Sequence, residues 1–77
     1  MEKVIEKSWN YILIKNNGNY YLSVLCGGIG LYELEINLNE QEVASFTNIG
    51  ESYIDDLAKE IQKNTTKWLH RSIREDS

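Results

Sequence analysis

The residues with the clearest chemical potential are Glu33 and Glu35, two carboxylates that stand two positions apart. In an extended strand, residues i and i+2 lie on the same face about 7 Å apart, so both acids are expected on one side of a sheet. Two carboxylates at that distance serve glycoside hydrolysis only where a pocket encloses the substrate. We expect an open sheet face without a pocket, which leaves two interpretations: a solvated surface and a docking surface for a protein.

A second pair of acids, Asp55 and Asp56, lies in a segment with helical periodicity. Adjacent helical residues point about 100° apart, so these two carboxylates cannot bind one ion together. The alternating acids of a calcium-binding loop are also missing from this segment. We interpret the pair as a solvated helix face, with contact to a protein partner as the alternative.

The candidate nucleophile and the candidate base, Cys26 and His70, are each the only residue of their type. Cys26 continues an apolar strand face without a base near it in sequence, so we expect a small buried residue. His70 has no acid or nucleophile adjacent to it, and we expect a position at the surface or at a helix end. The sequence predicts no catalytic, cofactor-binding or metal site, and a hydrolase that pairs His70 with a distant carboxylate is the alternative.

Three glycines in the four positions after Cys26 predict a turn with unusual backbone angles. A phosphate-binding loop is the alternative, but such loops continue into Lys-Ser/Thr and a helix, and neither follows here. The next strand must place Leu34 and Ile36 on the apolar face of its neighbour. A three-residue loop over 27–29 gives that parity.

Two strands, over 8–15 and 20–26, are predicted to form a hairpin that closes at Asn17-Gly18. A type I′ turn needs positive φ at both central residues, and Asn-Gly is the pair most typical of it. The register predicts an apolar face with three cross-strand pairs. These pairs are Leu13 with Leu22, Tyr11 with Val24 and Trp9 with Cys26. Trp9 is therefore expected in the core or at its rim.

The chain changes from strand to helix at Asn39, after a third strand predicted over 31–38. Asn39 followed three residues later by Glu42 is typical of a capping box at a helix start. Helices are predicted over 40–47, 51–63 and 66–73, and the second carries a broad apolar stripe. The sequence therefore predicts one α+β domain over 1–77, a three-stranded antiparallel meander with two or three helices packed on one face.

The charge of the chain is concentrated in its middle. The net charge is −4, and residues 33–60 hold eight acidic residues against one lysine. Such a segment argues against direct nucleic-acid binding, which needs clustered Lys and Arg, and favours a basic protein partner. No run approaches the roughly 20 apolar residues of a membrane span, and the first residues lack a signal-peptide pattern. A cytoplasmic protein with no membrane contact is expected.

One block in the C-terminal half carries a recognisable pattern. It comprises residues 39–43, Phe46, residues 50–61, Asn64 and Trp68. This block resembles small immunity proteins of bacterial polymorphic toxin systems, including contact-dependent growth inhibition. The resemblance implies a cytoplasmic protein that binds one cognate toxin domain, often a basic nuclease, and blocks its active site or substrate surface.

The first hypothesis is therefore a non-enzymatic immunity protein without cofactors. The residues expected to contact the toxin are an aromatic anchor and four acids: Tyr21, Glu33, Glu35, Asp55 and Asp56. Electrostatic steering followed by steric occlusion would be the mechanism. The alternative is a small regulatory module or antitoxin that forms a homodimer through its sheet edges or its open sheet face.

Overall fold

The computed structural model describes residues 2–27 and 32–72, which form an antiparallel sheet with helices packed on one face. The strands are β1 (Glu2–Lys7), β2 (Tyr11–Asn16), β3 (Asn19–Cys26) and β4 (Tyr32–Asn37), in the spatial order β1-β2-β3-β4. The helices are α1 (Glu40–Ile49), α2 (Glu51–Lys63) and α3 (Thr65–Trp68), followed by a 3-10 turn over Leu69–Arg71. The predicted α+β class with an antiparallel meander is confirmed, but the sheet has four strands rather than three.

Strand β1 is the element that the sequence does not predict. Its residues are rich in alternating charge and present no continuous apolar face, as is common for edge strands that must not pair with other molecules. β1 pairs with β2, with Ile5 opposite Leu13 and Lys7 opposite Tyr11. Its register shifts just before Ile5, and this irregularity turns the Ile5 side chain towards the core.

Strands β2 and β3 form the predicted hairpin around Asn17-Gly18. Asn17 has φ +53° and Gly18 has φ +81°, as a type I′ turn requires. The predicted register is therefore confirmed along β2 and β3. The confirmed cross-strand pairs on the core face are Leu13 with Leu22 and Tyr11 with Val24.

Trp9 does not occupy its predicted position. β2 begins at Tyr11 rather than at residue 8, because residues 8–10 form the turn between β1 and β2. Trp9 in that turn has φ +64°, and 84% of the residue is exposed. The predicted core pair of Trp9 with Cys26 is therefore wrong.

Strands β3 and β4 pair so that their apolar faces match, with Val24 opposite Leu34. Cys26 pairs with Tyr32, so five residues separate the paired positions and the predicted three-residue loop is wrong. Five is also an odd number, and the predicted parity of β4 is kept for this reason. Residues 28–31, which include most of the glycine-rich segment and the predicted start of this strand, lie outside the described residues.

The predicted capping box at the start of α1 is confirmed. The Glu42 backbone N–H donates to Asn39 Oδ1 at 2.8 Å, and the Asn39 N–H donates to Glu42 Oε1 at 2.9 Å. Both bonds satisfy donors near the helix start, where the first turn leaves N–H groups unpaired. α1 continues to Ile49, two residues beyond the prediction, and Gly50 with φ +99° separates it from α2.

The hydrophobic core lies between α2 and one face of the sheet. α2 has its predicted bounds, 51–63, whereas the predicted helix over 66–73 consists of the short α3 and the 3-10 turn, with residue 73 outside the described range. The most deeply buried side chains of the two layers are Leu13, Leu22, Val24, Leu34, Ile36, Ile54 and Ile61. Truncating such a leucine or isoleucine to alanine typically costs about 2–5 kcal/mol, so this layer is a main source of stability.

Candidate protein-binding surface

The sheet face opposite the helices carries apolar and acidic side chains together. Strand alternation places there the residues that lie between the core positions of β2, β3 and β4. We call this surface the open face, and its residues are Ile12, Ile14, Tyr21, Ser23, Leu25, Glu33 and Glu35. All of them except Glu33 are half-buried, because side chains on one sheet face cover their neighbours.

The centre of the open face is apolar. Ile12 and Ile14 come from β2, and Tyr21 and Leu25 come from β3. Ile14 lies directly opposite Tyr21, which joins an aliphatic side chain to an aromatic one across the two strands. A cluster of large apolar groups on a sheet face away from the helices has the composition of a protein-binding surface.

The acidic residues of the open face follow strand β4. Glu33 lies opposite Leu25, and Glu35 lies opposite Ser23. The Ser23 hydroxyl donates to Glu33 Oε2 at 3.3 Å. The two carboxylates therefore border the apolar centre on one side, as the sequence predicts for a shared strand face.

Strand β1 borders the other side of the apolar centre. Lys3 and Glu6 lie opposite Ile14 and Ile12 on the same face. The Lys3 ammonium is 3.4 Å from Glu6 Oε2, and both side chains are more than half exposed. Exposed ion pairs contribute at most about 1 kcal/mol, so a partner can exchange this contact for its own.

A cavity of about 110 Å³ lies where the open face meets the turn between β1 and β2. We call it the turn cleft and define it by Glu6, Trp9, Ile12, Leu25 and Glu33. The other lining residues are Lys7, Ser8, Asn10, Tyr11 and Ser23. The turn cleft joins an exposed indole, two aliphatic side chains and two carboxylates. Cationic and apolar groups of a partner would both find complementary contacts there.

Hydrogen bonds hold the turn that carries Trp9. The Asn10 N–H donates to the Lys7 carbonyl at 3.0 Å, and the Leu25 N–H donates to the Asn10 carbonyl at 2.8 Å. Gln62 of α2 donates its side-chain amide to Asn10 Oδ1 at 3.2 Å and to the Leu25 carbonyl at 3.0 Å. Trp9 is thus presented from a fixed backbone. The sequence gives one local signal for it, the polar Ser8 and Asn10 on either side, which are typical of turns.

Asp55, a predicted contact residue, is engaged within the molecule. Its Oδ1 lies 2.6 Å from the Lys7 ammonium and accepts a hydrogen bond of 2.6 Å from the Tyr11 hydroxyl. The hydrogen bond from Lys7 and the one from Tyr11 hold the pKa of the Asp55 carboxyl below its usual value. Glu51 lies 2.9 Å from the same ammonium. These contacts join the sheet edge to α2, so Asp55 is a bonded residue rather than the solvated one expected.

The same network shifts the pKa values of its other two members. The hydrogen bond to Asp55 and the one to Glu51 raise the pKa of Lys7. Burial and the hydrogen bond to Asp55 raise the pKa of Tyr11. Lys7 is charged and Tyr11 is protonated at neutral pH in any case, and the raised pKa values extend these states, and the contacts between β1, β2 and α2, to higher pH.

The five predicted contact residues fall into two groups. Tyr21, Glu33 and Glu35 lie together on the open face. Asp55 and Asp56 lie on α2, which packs against the opposite face of the sheet, and Asp56 is exposed. A small interface cannot cover both groups, so the structure separates a sheet-side surface from a helix-side surface.

Glu42 and Arg71 form an ion pair that the sequence analysis does not identify. The guanidinium contacts both carboxylate oxygens, at 2.6 and 2.7 Å, and also donates to the Asn37 carbonyl at 3.0 Å. Burial alone would raise the pKa of Glu42, but the bonds from Arg71 and from the Asn39 N–H outweigh it and lower that pKa. This pair ties the segment after α3 to α1 and β4.

The residues considered for catalysis lie apart from the turn cleft. His70 is exposed in the 3-10 turn. Cys26 is buried, and burial raises the pKa of its thiol. Within residues 2–27 and 32–72, no group of three His, Cys, Asp or Glu side chains is placed to hold a metal ion.

In the part of the chain that the structure describes, no helix has the length and apolar character needed to cross a bilayer. No protein family model, curated protein or solved structure matches this chain.

Proposed function

We propose that this chain is a non-enzymatic binding protein whose open face docks onto a basic surface of another protein. The observation that carries the proposal is the apolar centre of Ile12, Ile14, Tyr21 and Leu25 bordered by the carboxylates of Glu33 and Glu35. Interfaces combine such an apolar centre with a polar rim. The rim acids would select a cationic partner and speed its approach.

The role that fits this surface best is that of a cytoplasmic immunity protein. It would bind one cognate bacterial toxin domain, most simply a basic nuclease, and occlude its active site. Catalytic chemistry in the immunity protein is not required, because a bound protein excludes substrate sterically. The resemblance of the block from Asn39 to Trp68 to immunity proteins supports the same role.

A homodimeric regulatory module is the second candidate, and the edges of the sheet argue against one form of it. β1 is irregular and rich in charge, which discourages pairing with another strand. The β4 edge is bridged by Ser72 at Ile36 and by Arg71 at the Asn37 carbonyl. These features leave one form of homodimer, in which the open faces of two chains associate. Light scattering distinguishes the two candidates, because the immunity role predicts a monomer in the absence of toxin.

The test of the proposal is co-expression with a candidate toxin domain. A large secreted protein encoded immediately upstream would be the first source of that domain to examine. The wild-type chain is expected to restore growth and to co-purify with the toxin domain. The variant Glu33→Lys/Glu35→Lys should lose both effects, because it reverses the charge of the open face.

The matched control is Glu40→Lys/Asp56→Lys, which makes the same charge change on exposed residues of the helix layer. This control should still bind the toxin and restore growth. Thermal unfolding of both variants establishes that each is folded. If the helix-layer variant loses binding while the open-face variant keeps it, the open face is not the interface and the proposal fails.

A further inference from the structure

We infer that the turn cleft receives one arginine side chain of the partner protein. This inference rests on the proposed function and names the group that the open face recognises. The volume of about 110 Å³ lies below the roughly 300 Å³ from which small-molecule sites begin. It suits a single side chain rather than a nucleotide or a sugar.

The lining of the turn cleft matches each part of an arginine. The planar guanidinium stacks on the exposed indole of Trp9, and its N–H groups donate to the carboxylates of Glu6 and Glu33. The methylene stem packs on Ile12 and Leu25. Lysine fits less well, because its ammonium is compact, strongly hydrated and unable to stack.

Lys7, a cation that lines the cavity, does not occupy this role. Its ammonium lies 2.6 Å from Asp55 and 2.9 Å from Glu51 on the α2 side. The Lys7 charge is therefore already paired with two carboxylates of α2. Glu6 keeps its exposed contact with Lys3, which an incoming guanidinium can replace.

The backbone of Trp9 gives independent support. A non-glycine residue with φ +64° is in the left-handed region, which costs about 1–2 kcal/mol for most side chains. Because 84% of the residue is exposed, burial of the Trp9 side chain contributes little free energy to offset that cost. Stability alone would favour glycine or asparagine at this position. An exposed indole on a strained backbone, in a turn fixed by hydrogen bonds, is typical of a residue that contacts a partner.

The experiment is an NMR titration of the ¹⁵N-labelled full chain with N-acetyl-arginine amide. N-acetyl-citrulline amide is the matched control, because it keeps the shape and lacks the charge. We expect saturable shifts of the Trp9 indole N–H and of the Ile12 and Leu25 amides with arginine. Smaller shifts are expected with N-acetyl-lysine amide and none with citrulline. The buried Trp68 indole serves as an internal reference.

Two variants test the assignment further. Trp9→Asn tolerates the left-handed backbone and should weaken the arginine response at Ile12 and Leu25 by about two- to fivefold. Glu33→Gln keeps the size of the side chain and should also weaken the response. Equal responses to arginine and citrulline would overturn the inference, as would an arginine response that Trp9→Asn leaves unchanged.

The outcomes separate this inference from the proposed function. If arginine fails to bind while Glu33→Lys/Glu35→Lys still abolishes toxin binding, the open face is the interface and the turn cleft is not an arginine site. If arginine binds as described while both charge-reversal variants keep the toxin, the turn cleft is a cation site and the open face is not the toxin interface.

Discussion

The two faces of this sheet are formed by the same strands, but the helices cover one face and leave the other uncovered. On the core face, Leu22 is fully buried beneath the helices, whereas Leu25 of the same strand is half-exposed on the open face. Both faces contain large apolar residues. The core face is apolar throughout and is covered by α2, whereas the open face mixes its apolar residues with Ser23, Glu33 and Glu35. The other face keeps an apolar centre that contributes less to folding.

The acidic residues divide in a similar way. On the helix side, Asp55, Glu42 and Glu60 are held by Lys7, Arg71 and Lys67 respectively. On the sheet side, Glu33 accepts a hydrogen bond from Ser23 and, together with Glu35, borders the apolar centre of the open face. The acidic middle segment is therefore not one uniform negative surface. Part of its charge joins elements of the fold, and part borders the proposed interface.

The largest expected effect compares two leucines of β3 on opposite faces. Leu22→Ala should lower the free energy of unfolding by about 2–5 kcal/mol, because it leaves a cavity in the core. Leu25→Ala should lower the free energy of unfolding by at most about 1.5 kcal/mol, because only part of the Leu25 side chain is buried when the chain folds. Urea denaturation of both variants measures the difference. Equal losses would contradict the division between the two faces.

The ion pair between Glu42 and Arg71 should give the next largest effect. Arg71→Ala leaves a buried carboxylate with fewer partners, and the free energy of unfolding should fall by about 1–3 kcal/mol near pH 7. The measurement is denaturation followed by circular dichroism. Lys67→Ala, which breaks the exposed contact to Glu60, is the control and should change stability by less than about 1 kcal/mol.

The same pair predicts how stability depends on pH. The pKa of Glu42 is lower in the folded chain than its ordinary value of 4.5, so the folded state binds fewer protons than the unfolded state. The resulting stabilisation is complete above about pH 5 and falls as pH drops through the folded pKa. Asp55, whose pKa is lowered from 3.8, acts in the same direction. Glu42→Gln should flatten the acid limb of the stability curve, and an unchanged limb would contradict the assignment.

The smallest expected effect on folding concerns Trp9. Trp9→Asn should leave the free energy of unfolding unchanged or raise it by up to about 1 kcal/mol, because asparagine tolerates positive φ. Thermal unfolding measures this change. A decrease of more than about 1 kcal/mol in the free energy of unfolding would mean that the indole stabilises the fold, which would contradict its assignment as a partner contact.

Local signals made part of this fold predictable. Asn17-Gly18 specifies its turn through two consecutive residues, and Asn39 with Glu42 specifies the start of α1 within one helical turn. Each of these two signals lies within a few consecutive residues, so the turn and the helix start can be predicted without knowledge of tertiary packing. The same holds for the spacing that places Glu33 and Glu35 on one face.

Features that depend on distant partners were not predictable. β1 is a strand because β2 pairs with it, and its charged residues carry no pattern of their own. Trp9 has positive φ in a turn whose Asn10 is bonded to Leu25 and Gln62, far along the chain. Asp55 is bound by Lys7, which lies 48 positions away. The spacing of residues in the sequence does not predict contacts between such distant positions.

The most direct test of the account is the association rate of the purified chain with the toxin domain proposed as its partner, at low and high salt. We expect Glu33→Lys/Glu35→Lys to slow association strongly at low salt and to lose most of the salt dependence, because steering depends on the open-face acids. Glu40→Lys/Asp56→Lys should associate at nearly the wild-type rate. Slowing of equal size in the two variants would show that only net charge matters and would contradict a binding surface on the open face.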